Sequence, residues 1–177
     1  SLGFYALLGW MPSALISIGV TPQDAGNFLG FASAVGIPTG LLISSVLGRF
    51  KSLSWWAAGT SAMTLIGNIL FAIVLNSAET SLLFFACIFL GLGMSATFPI
   101  SLSLISTRAS TQAQTTQLSA MSQGWGYLVA AAGTFMVGFV ANLVGGYTLS
   151  FVIILILTLI QAGIGFYAGR PGLIPAK

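Results

Sequence analysis

Six apolar runs, each near the length of a bilayer crossing, follow one another along this chain with only short polar connections between them. That succession restricts the fold more than any motif does. A crossing takes about 20 apolar residues in a helix, and inside hydrocarbon every backbone N–H and C=O must find its partner within the protein. The runs therefore read as transmembrane helices at 2–20, 25–47, 55–75, 81–106, 118–143 and 148–169. Composition agrees. A soluble domain carries about a quarter charged residues, against 4% charged and 56% hydrophobic here. The expected fold class is an all-α membrane protein of six transmembrane helices.

Charge placement tests that division independently of hydropathy, because cytoplasmic loops collect Lys and Arg. Arg49 and Lys51 follow the second span, Arg108 the fourth, and Arg170 and Lys177 the sixth, so strict alternation puts all five basic residues on one side. Asp24 and Glu79, the only acids, follow the first and third spans and fall on the other. The expectation is a multi-pass protein of the cytoplasmic (inner) membrane. The loops after helices 2 and 4 and the C-terminus then face the cytoplasm. The basic balance reflects topology and implies no nucleic-acid partner; the lipid bilayer is the surrounding one.

The same sparse chemistry excludes catalysis. With no histidine, an intramembrane serine protease has no base for its nucleophile. Paired-carboxylate chemistry fails because both acids lie in connections. Asp24 follows Thr21 and Pro22 as a helix-start cap would, and Glu79 follows Asn76 at the same spacing, which predicts a second cap. The single cysteine, Cys87, lies inside an apolar span and reads as a small hydrophobe. Gly91-Leu92-Gly93-Met94-Ser95-Ala96 lacks the third glycine of a dinucleotide fingerprint. No catalytic residue, metal site or cofactor is expected.

The most informative stretch is 119–133, S-A-M-S-Q-G-W-G-Y-L-V-A-A-A-G. At about 100° per residue, Ser119, Ser122, Gln123, Gly126, Tyr127 and Ala130 fall within an arc of about 140°, while Met121, Trp125 and Leu128 lie opposite. Such a face meets either a neighbouring helix or a water-filled path, since a Gln amide facing hydrocarbon leaves hydrogen-bonding groups unpaired. Other spans are also marked. Gly26, Gly30, Ser33 and Gly40, with Gly36-x-x-x-Gly40, make a small-residue surface for close packing. Asn27 adjoins it near the outer end. Met94, Thr97, Phe98 and Ser101 share a face of the fourth span, and Tyr5, Gly9, Pro12 and Ser13 share one in the first, bordered by Trp10. The third span is plain apart from Asn68, expected to contact another helix, and the sixth reads as a lipid-facing edge helix. The segment 107–117 reads as a solvated loop. Phe98-Pro99 parallels Trp10-Met11-Pro12, so an aromatic residue close before a proline recurs in the first span of each group of three. Two inverted three-helix repeats with broken helices are a signature of secondary transporters. A passive channel would call for a charged ring or carbonyl filter, which is not evident.

At this point a family resemblance emerges. Gly3-Phe-Tyr-Ala-Leu-Leu-Gly-Trp-Met-Pro-Ser-Ala-Leu15 resembles the seventh transmembrane helix of the cyanate and 2-nitroimidazole transporter family, within the major facilitator superfamily. The resemblance continues through F-L-G-F-A-S-A-V-G-I-P in the second span and G-L-G-M-S-A-T-F-P-I-S-L-S-L-I in the fourth. In the fifth it is carried by L-S-A-M-S-Q-G-W-G-Y-L-V-A-A-A-G. It implies that residues 1–177 form the C-terminal six-helix domain of a twelve-helix carrier, the N-terminal six-helix half being absent here. Ser1 is no initiator and no cleavage motif follows the first span, which fits that expectation. Two departures stand out: Gly48-Arg49-Phe50-Lys51 is a reduced basic loop without its acid, and the fourth-to-fifth connection is poor in charge.

The resemblance also implies that the first, second, fourth and fifth helices line a central cavity while the third and sixth stand outside. Combined with the polar faces, this nominates Tyr5, Trp10, Asn27, Met94, Phe98, Ser101, Gln123 and Tyr127 as substrate-binding residues, with Trp125 pointing away. The expected function is secondary active transport of a small polar or anionic organic solute, cyanate- or nitroimidazole-like, by alternating access. The alternatives are a drug or metabolite efflux carrier of the same superfamily and a six-helix passive channel. The expected partners are the small-molecule substrate and the other half of the carrier.

Overall fold

An apolar run can satisfy its backbone within its own segment only as a helix, and the computed structural model, which describes residues 2–50 and 52–170, contains six. They are α1 (Leu2–Ser17), α2 (Pro22–Val46), α3 (Ser54–Ser77), α4 (Leu83–Arg108), α5 (Gln112–Val144) and α6 (Thr148–Ala168). Short 3-10 turns occupy Leu47–Arg49 and Thr80–Leu82, and no strand occurs among the described residues. The helices α2 to α6 are each long and apolar enough to cross a membrane, whereas α1, of 16 residues, is apolar but shorter. The chain is thus a multi-pass helical membrane protein.

Local chemistry sets the helix starts. Thr21 caps α2, its hydroxyl accepting from the Asp24 N–H at 3.1 Å while donating to the Asp24 carboxylate at 2.7 Å, and Pro22 follows in the first turn. The expected cap at Asp24 is present. The expected cap at Asn76 is not: Asn76 lies inside the last turn of α3, which ends where Ala78 turns left-handed at φ 56°. Glu79 instead accepts from the Ser81 hydroxyl, 2.9 Å away, in the connection itself.

A larger difference concerns 107–117, expected as a loop. Helix α4 continues to Arg108 and α5 begins at Gln112. Thr111 caps α5 by accepting from the Gln114 N–H at 3.2 Å, and the Gln114 side chain accepts from the Ser110 N–H at 2.8 Å. At about 1.5 Å per residue, the 33 residues of α5 exceed the hydrocarbon thickness, so its Gln- and Thr-rich first turns project beyond it.

The ends of the bundle segregate charge. Arg108 at the end of α4 donates to the carbonyls of Ala168, the last residue of α6, and Arg170 just beyond it, and the Leu53 N–H before α3 donates to the Gly169 carbonyl at 3.0 Å. Arg49, Arg108 and Arg170 therefore share one end, and Asp24 and Glu79, at the start of α2 and after α3, belong to the other. Lys51 and Lys177 lie outside the described residues.

Helix α4 packs on α2 along one side and on α3 along another, while α3 also backs onto α6 and α1 lies against α5 and α2. The α1 residues Ala6, Met11, Ala14 and Leu15 are fully buried, and share a core with Leu83 and Leu90 of α4, Phe71 of α3 and Phe151 of α6. Close approach is set by glycine. A Cβ on Gly93 would stand 2.8 Å from the Thr60 carbonyl oxygen, and one on Gly36 would stand 3.2 Å from the Gly91 carbonyl oxygen. The small-residue surface expected on α2 is thus only half used. Gly36 and Gly40 pack on Ser95, whereas a Cβ on Gly26 or Gly30 would meet open space and Ser33 is exposed. Asn68 makes the interhelical contact expected of it, donating to Thr158 of α6 at 3.2 Å. Helix α3 is otherwise less plain than it reads, since Thr60, Ser61 and Thr64 are buried with Asn68. Nor is α6 purely an edge: Ser150, Phe151, Ile154 and Thr158 are buried.

Candidate functional site

The polar arc of the fifth span is split between packing and open space. Its centre is a stripe of small residues against α1: a Cβ on Gly9 of α1 would lie 3.5 Å from Thr134 Cγ2, and one on Gly133 would run into Leu2. Further along, Gly138 leaves room for the Trp10 ring, whose Nε1 donates to the Thr134 carbonyl at 2.7 Å. Tyr147 lies against the same indole with ring centroids 5.9 Å apart. Trp10 is therefore a clamp between α1 and α5, and its N–H is committed to the backbone.

Beside this clamp the two helices line an open groove of about 540 Å³, formed by Tyr5, Leu8, Gly9, Tyr127, Ala130, Ala131, Thr134 and Phe135. Tyr5 and Tyr127 meet across it edge to face, centroids 6.1 Å apart at 65°. They are 39% and 46% exposed, and neither hydroxyl has a hydrogen-bond partner among the described residues. Gln123 lies one helical turn from Tyr127, half-buried, its Nε2 donating to the Ser119 hydroxyl at 2.6 Å. The groove thus offers three aromatic rings, those of Tyr5, Tyr127 and Phe135, together with two phenol groups that can donate or accept and the Thr134 side chain, with an amide one turn away. It carries no formal charge. No cluster of three metal-ligating side chains occurs among the described residues.

Over nearly its whole length the chain is similar to known transporters. It is 34% identical over 170 residues to a protein named 2-nitroimidazole transporter from Escherichia coli K12, covering 96% of this chain and 42% of that protein. The chain is homologous to bacterial transporters. A second relative, the uncharacterized transporter YycB of Bacillus subtilis 168, is 29% identical over 167 residues, 94% of this chain and 41% of its own length. The chain spans about two fifths of the length of these relatives. No family profile matches it, and no solved structure does. The resemblance read from its motifs is borne out by the first of these relatives.

Of the residues nominated from the sequence, the structure brings Tyr5 and Tyr127 into contact, with Gln123 one helical turn before Tyr127 on α5. Trp10 is near but serves the helix seam. Met94 is only 9% exposed and belongs to the core beneath α1, where a Cβ on Gly3 would lie 3.6 Å from its Cε. Phe98 is half exposed on α4, and the Ser101 hydroxyl donates to the Phe98 carbonyl at 2.7 Å. Asn27 is exposed near the start of α2, away from the tyrosine pair. Trp125 points away from Tyr127, into a separate crevice of about 400 Å³ that also includes Gln161. Thr134 and Phe135 were not anticipated. Their signal is the small residues Ala130 and Gly133 just before them, which mark where α5 meets α1 and so place the groove beside that seam.

Proposed function

We propose that this chain is one half of a major facilitator superfamily carrier and that the α1–α5 groove is its share of the solute path in secondary active transport by alternating access. The basic end is assigned to the cytoplasm, because cytoplasmic loops collect Lys and Arg. The observation that carries the reading is the Tyr5–Tyr127 pair, exposed in the groove between α1 and α5 with neither hydroxyl partnered among the described residues. Similarity to named transporters supports it.

The groove chemistry suits a small, planar, neutral or anionic solute of the nitroimidazole kind. Admitting a flat ring between two others takes about 7 Å, two contacts of about 3.5 Å each, and the tyrosines stand 6.1 Å apart. The solute therefore lies against the pair, stacking on one ring and accepting hydrogen bonds from the phenols. Gln123 adds a donor and an acceptor. A full negative charge would take its counter-charge from the other half of the carrier.

The test uses the full-length carrier in vesicles, with 2-nitroimidazole as probe. Tyr5→Phe and Tyr127→Phe keep the rings and remove the hydroxyls. A hydrogen bond is worth about 1 kcal/mol, so each variant is expected to weaken the apparent affinity about fivefold at unchanged melting temperature. Unchanged affinity in both variants, with parent-like transport, would remove the groove from the solute path.

A further inference from the structure

A second groove, on the far side of the bundle from the tyrosines, matches a membrane lipid. It runs between α2, α3 and α4, holds about 350 Å³, and is walled by Ile43 of α2, Gly59 and Met63 of α3 and Leu92 of α4, with Trp55 and Trp56 at its mouth. The wall is apolar in effect. The two threonines lining it turn their hydroxyls to their own helices, Thr39 donating to the Val35 carbonyl at 2.8 Å and Thr60 to that of Trp56 at 2.9 Å. From Trp55 to Met63 the groove follows α3 for about 12 Å, taking about 1.5 Å per residue. A Cβ on Gly59 would meet nothing within 4 Å, so its floor is open space.

What stands at the mouth gives the groove a direction. Trp55 is 78% exposed and packs edge to face on Phe166 at 5.3 Å; Phe166 in turn lies under the Arg170 guanidinium, which sits 4.7 Å above Tyr167. On the other side Phe50 rests on Trp56 at 5.1 Å and carries Arg49 beside it in the α2–α3 connection. Exposed tryptophan and tyrosine with arginine at a helix foot is the composition of a headgroup boundary. Stacking occupies the face of the Arg170 guanidinium and leaves the N–H donors on its edge for an oxyanion. Both acids of the chain belong to the opposite end of the bundle, so no acidic side chain competes for these cations.

We infer that this groove binds an anionic phospholipid of the leaflet at the basic end, an acyl chain lying along Gly59 and the phosphate held between Arg49 and Arg170. Any exposed apolar groove in a bilayer fills with lipid chains; the two arginines make this one selective for headgroup charge. The site is independent of the tyrosine groove and of its solute.

Tryptophan quenching by brominated-chain lipid reads the site directly. The full-length protein is placed in phosphatidylcholine bilayers containing increasing brominated-chain phosphatidylglycerol or brominated-chain phosphatidylcholine. The signal is the part of the quenching that Trp55→Phe removes. Each basic residue near an anionic surface contributes about 1 kcal/mol, or about fivefold. Half-maximal quenching is therefore expected at a phosphatidylglycerol fraction at least fivefold below that for phosphatidylcholine. The double variant Arg49→Gln/Arg170→Gln should bring the two together, Arg49→Lys/Arg170→Lys should keep most of the preference, and Gly59→Leu should reduce quenching by both lipids. Equal quenching by both headgroups in the parent would leave a groove for any chain and overturn the anionic site. So would a preference that survives the double Gln variant. Absence of Trp55-dependent quenching would mean that something other than lipid covers the groove.

Discussion

Two helix seams in this molecule use the same vocabulary to opposite ends. Between α3 and α6, Asn68 donates to Thr158, which donates on to the Ile154 carbonyl, and Phe71 meets Phe151 at 4.8 Å with both rings fully buried. Between α1 and α5, glycines and a tryptophan clamp bring the helices together, yet the aromatic pair beside them stays exposed and its hydroxyls have no partner among the described residues. A polar or aromatic side chain inside a membrane helix does not declare its role by type. What separates the seams is burial: both border an opening, Ile154 and Thr158 edging the crevice of about 400 Å³, but one seam buries its amide and its ring pair while the other leaves its ring pair exposed.

The largest effect is expected where burial is complete. Phe71→Ala removes a fully buried ring from the α3–α6 seam, and a loss of about 3 kcal/mol follows from the cavity and the missing contacts. Thermal unfolding in detergent should register a clear fall in melting temperature, while the protein that remains folded binds solute as the parent does. A comparable loss of solute affinity would show that the buried seam also shapes the exposed one.

Next comes the clamp. A Cβ on Gly138 runs into the six-membered ring of Trp10, so Gly138→Ala should cost about 1–3 kcal/mol by overpacking and push α1 away from α5. Here stability and solute affinity should fall together, because the clamp sets the spacing of Tyr5 and Tyr127. Adding Trp10→Leu relieves the collision and should recover melting temperature without restoring affinity, since the bond to Thr134 is gone. Recovery of both would separate the clamp from the groove.

How far the sequence foretells this contrast depends on what each feature requires. The six helices and the separation of charge between the two ends are legible, because hydropathy and net charge act residue by residue. Asn68 as a helix contact is legible too, as a lone polar group in an apolar span. The segment 107–117 misleads because polarity marks where a chain leaves hydrocarbon, which is not where a helix stops. The Thr111-x-x-Gln114 pattern, a cap signal, was the better guide. Gly26 and Gly40 look alike in sequence, but only Gly40 lies on a neighbour. That distinction, like the core position of Met94 and the commitment of the Trp10 N–H, arises from which helices sit next to each other, and a single helix's periodicity carries no record of it.

The smallest and most discriminating effect comes from making one chemical change in both seams. Asn68→Leu deletes an amide whose Oδ1 already lacks a partner, and Thr158 keeps its own bond to Ile154. Interhelical hydrogen bonds of this kind average about 0.6 kcal/mol, and the replacement fills the same space with apolar atoms. Its melting temperature should therefore move by a degree or two, with solute affinity unchanged. Gln123→Leu removes an amide whose one protein bond is to Ser119 on its own helix, so no helix pair is held by it. Stability should again barely change, but solute affinity should fall about fivefold if the amide meets solute with a bond of about 1 kcal/mol. Calorimetric binding and melting on both variants decide the matter. A Gln123→Leu protein that melts clearly lower and binds solute as tightly as the parent would place Gln123 with Asn68, as an amide that joins helices, and leave Tyr5, Tyr127 and Thr134 as the polar side chains of the groove.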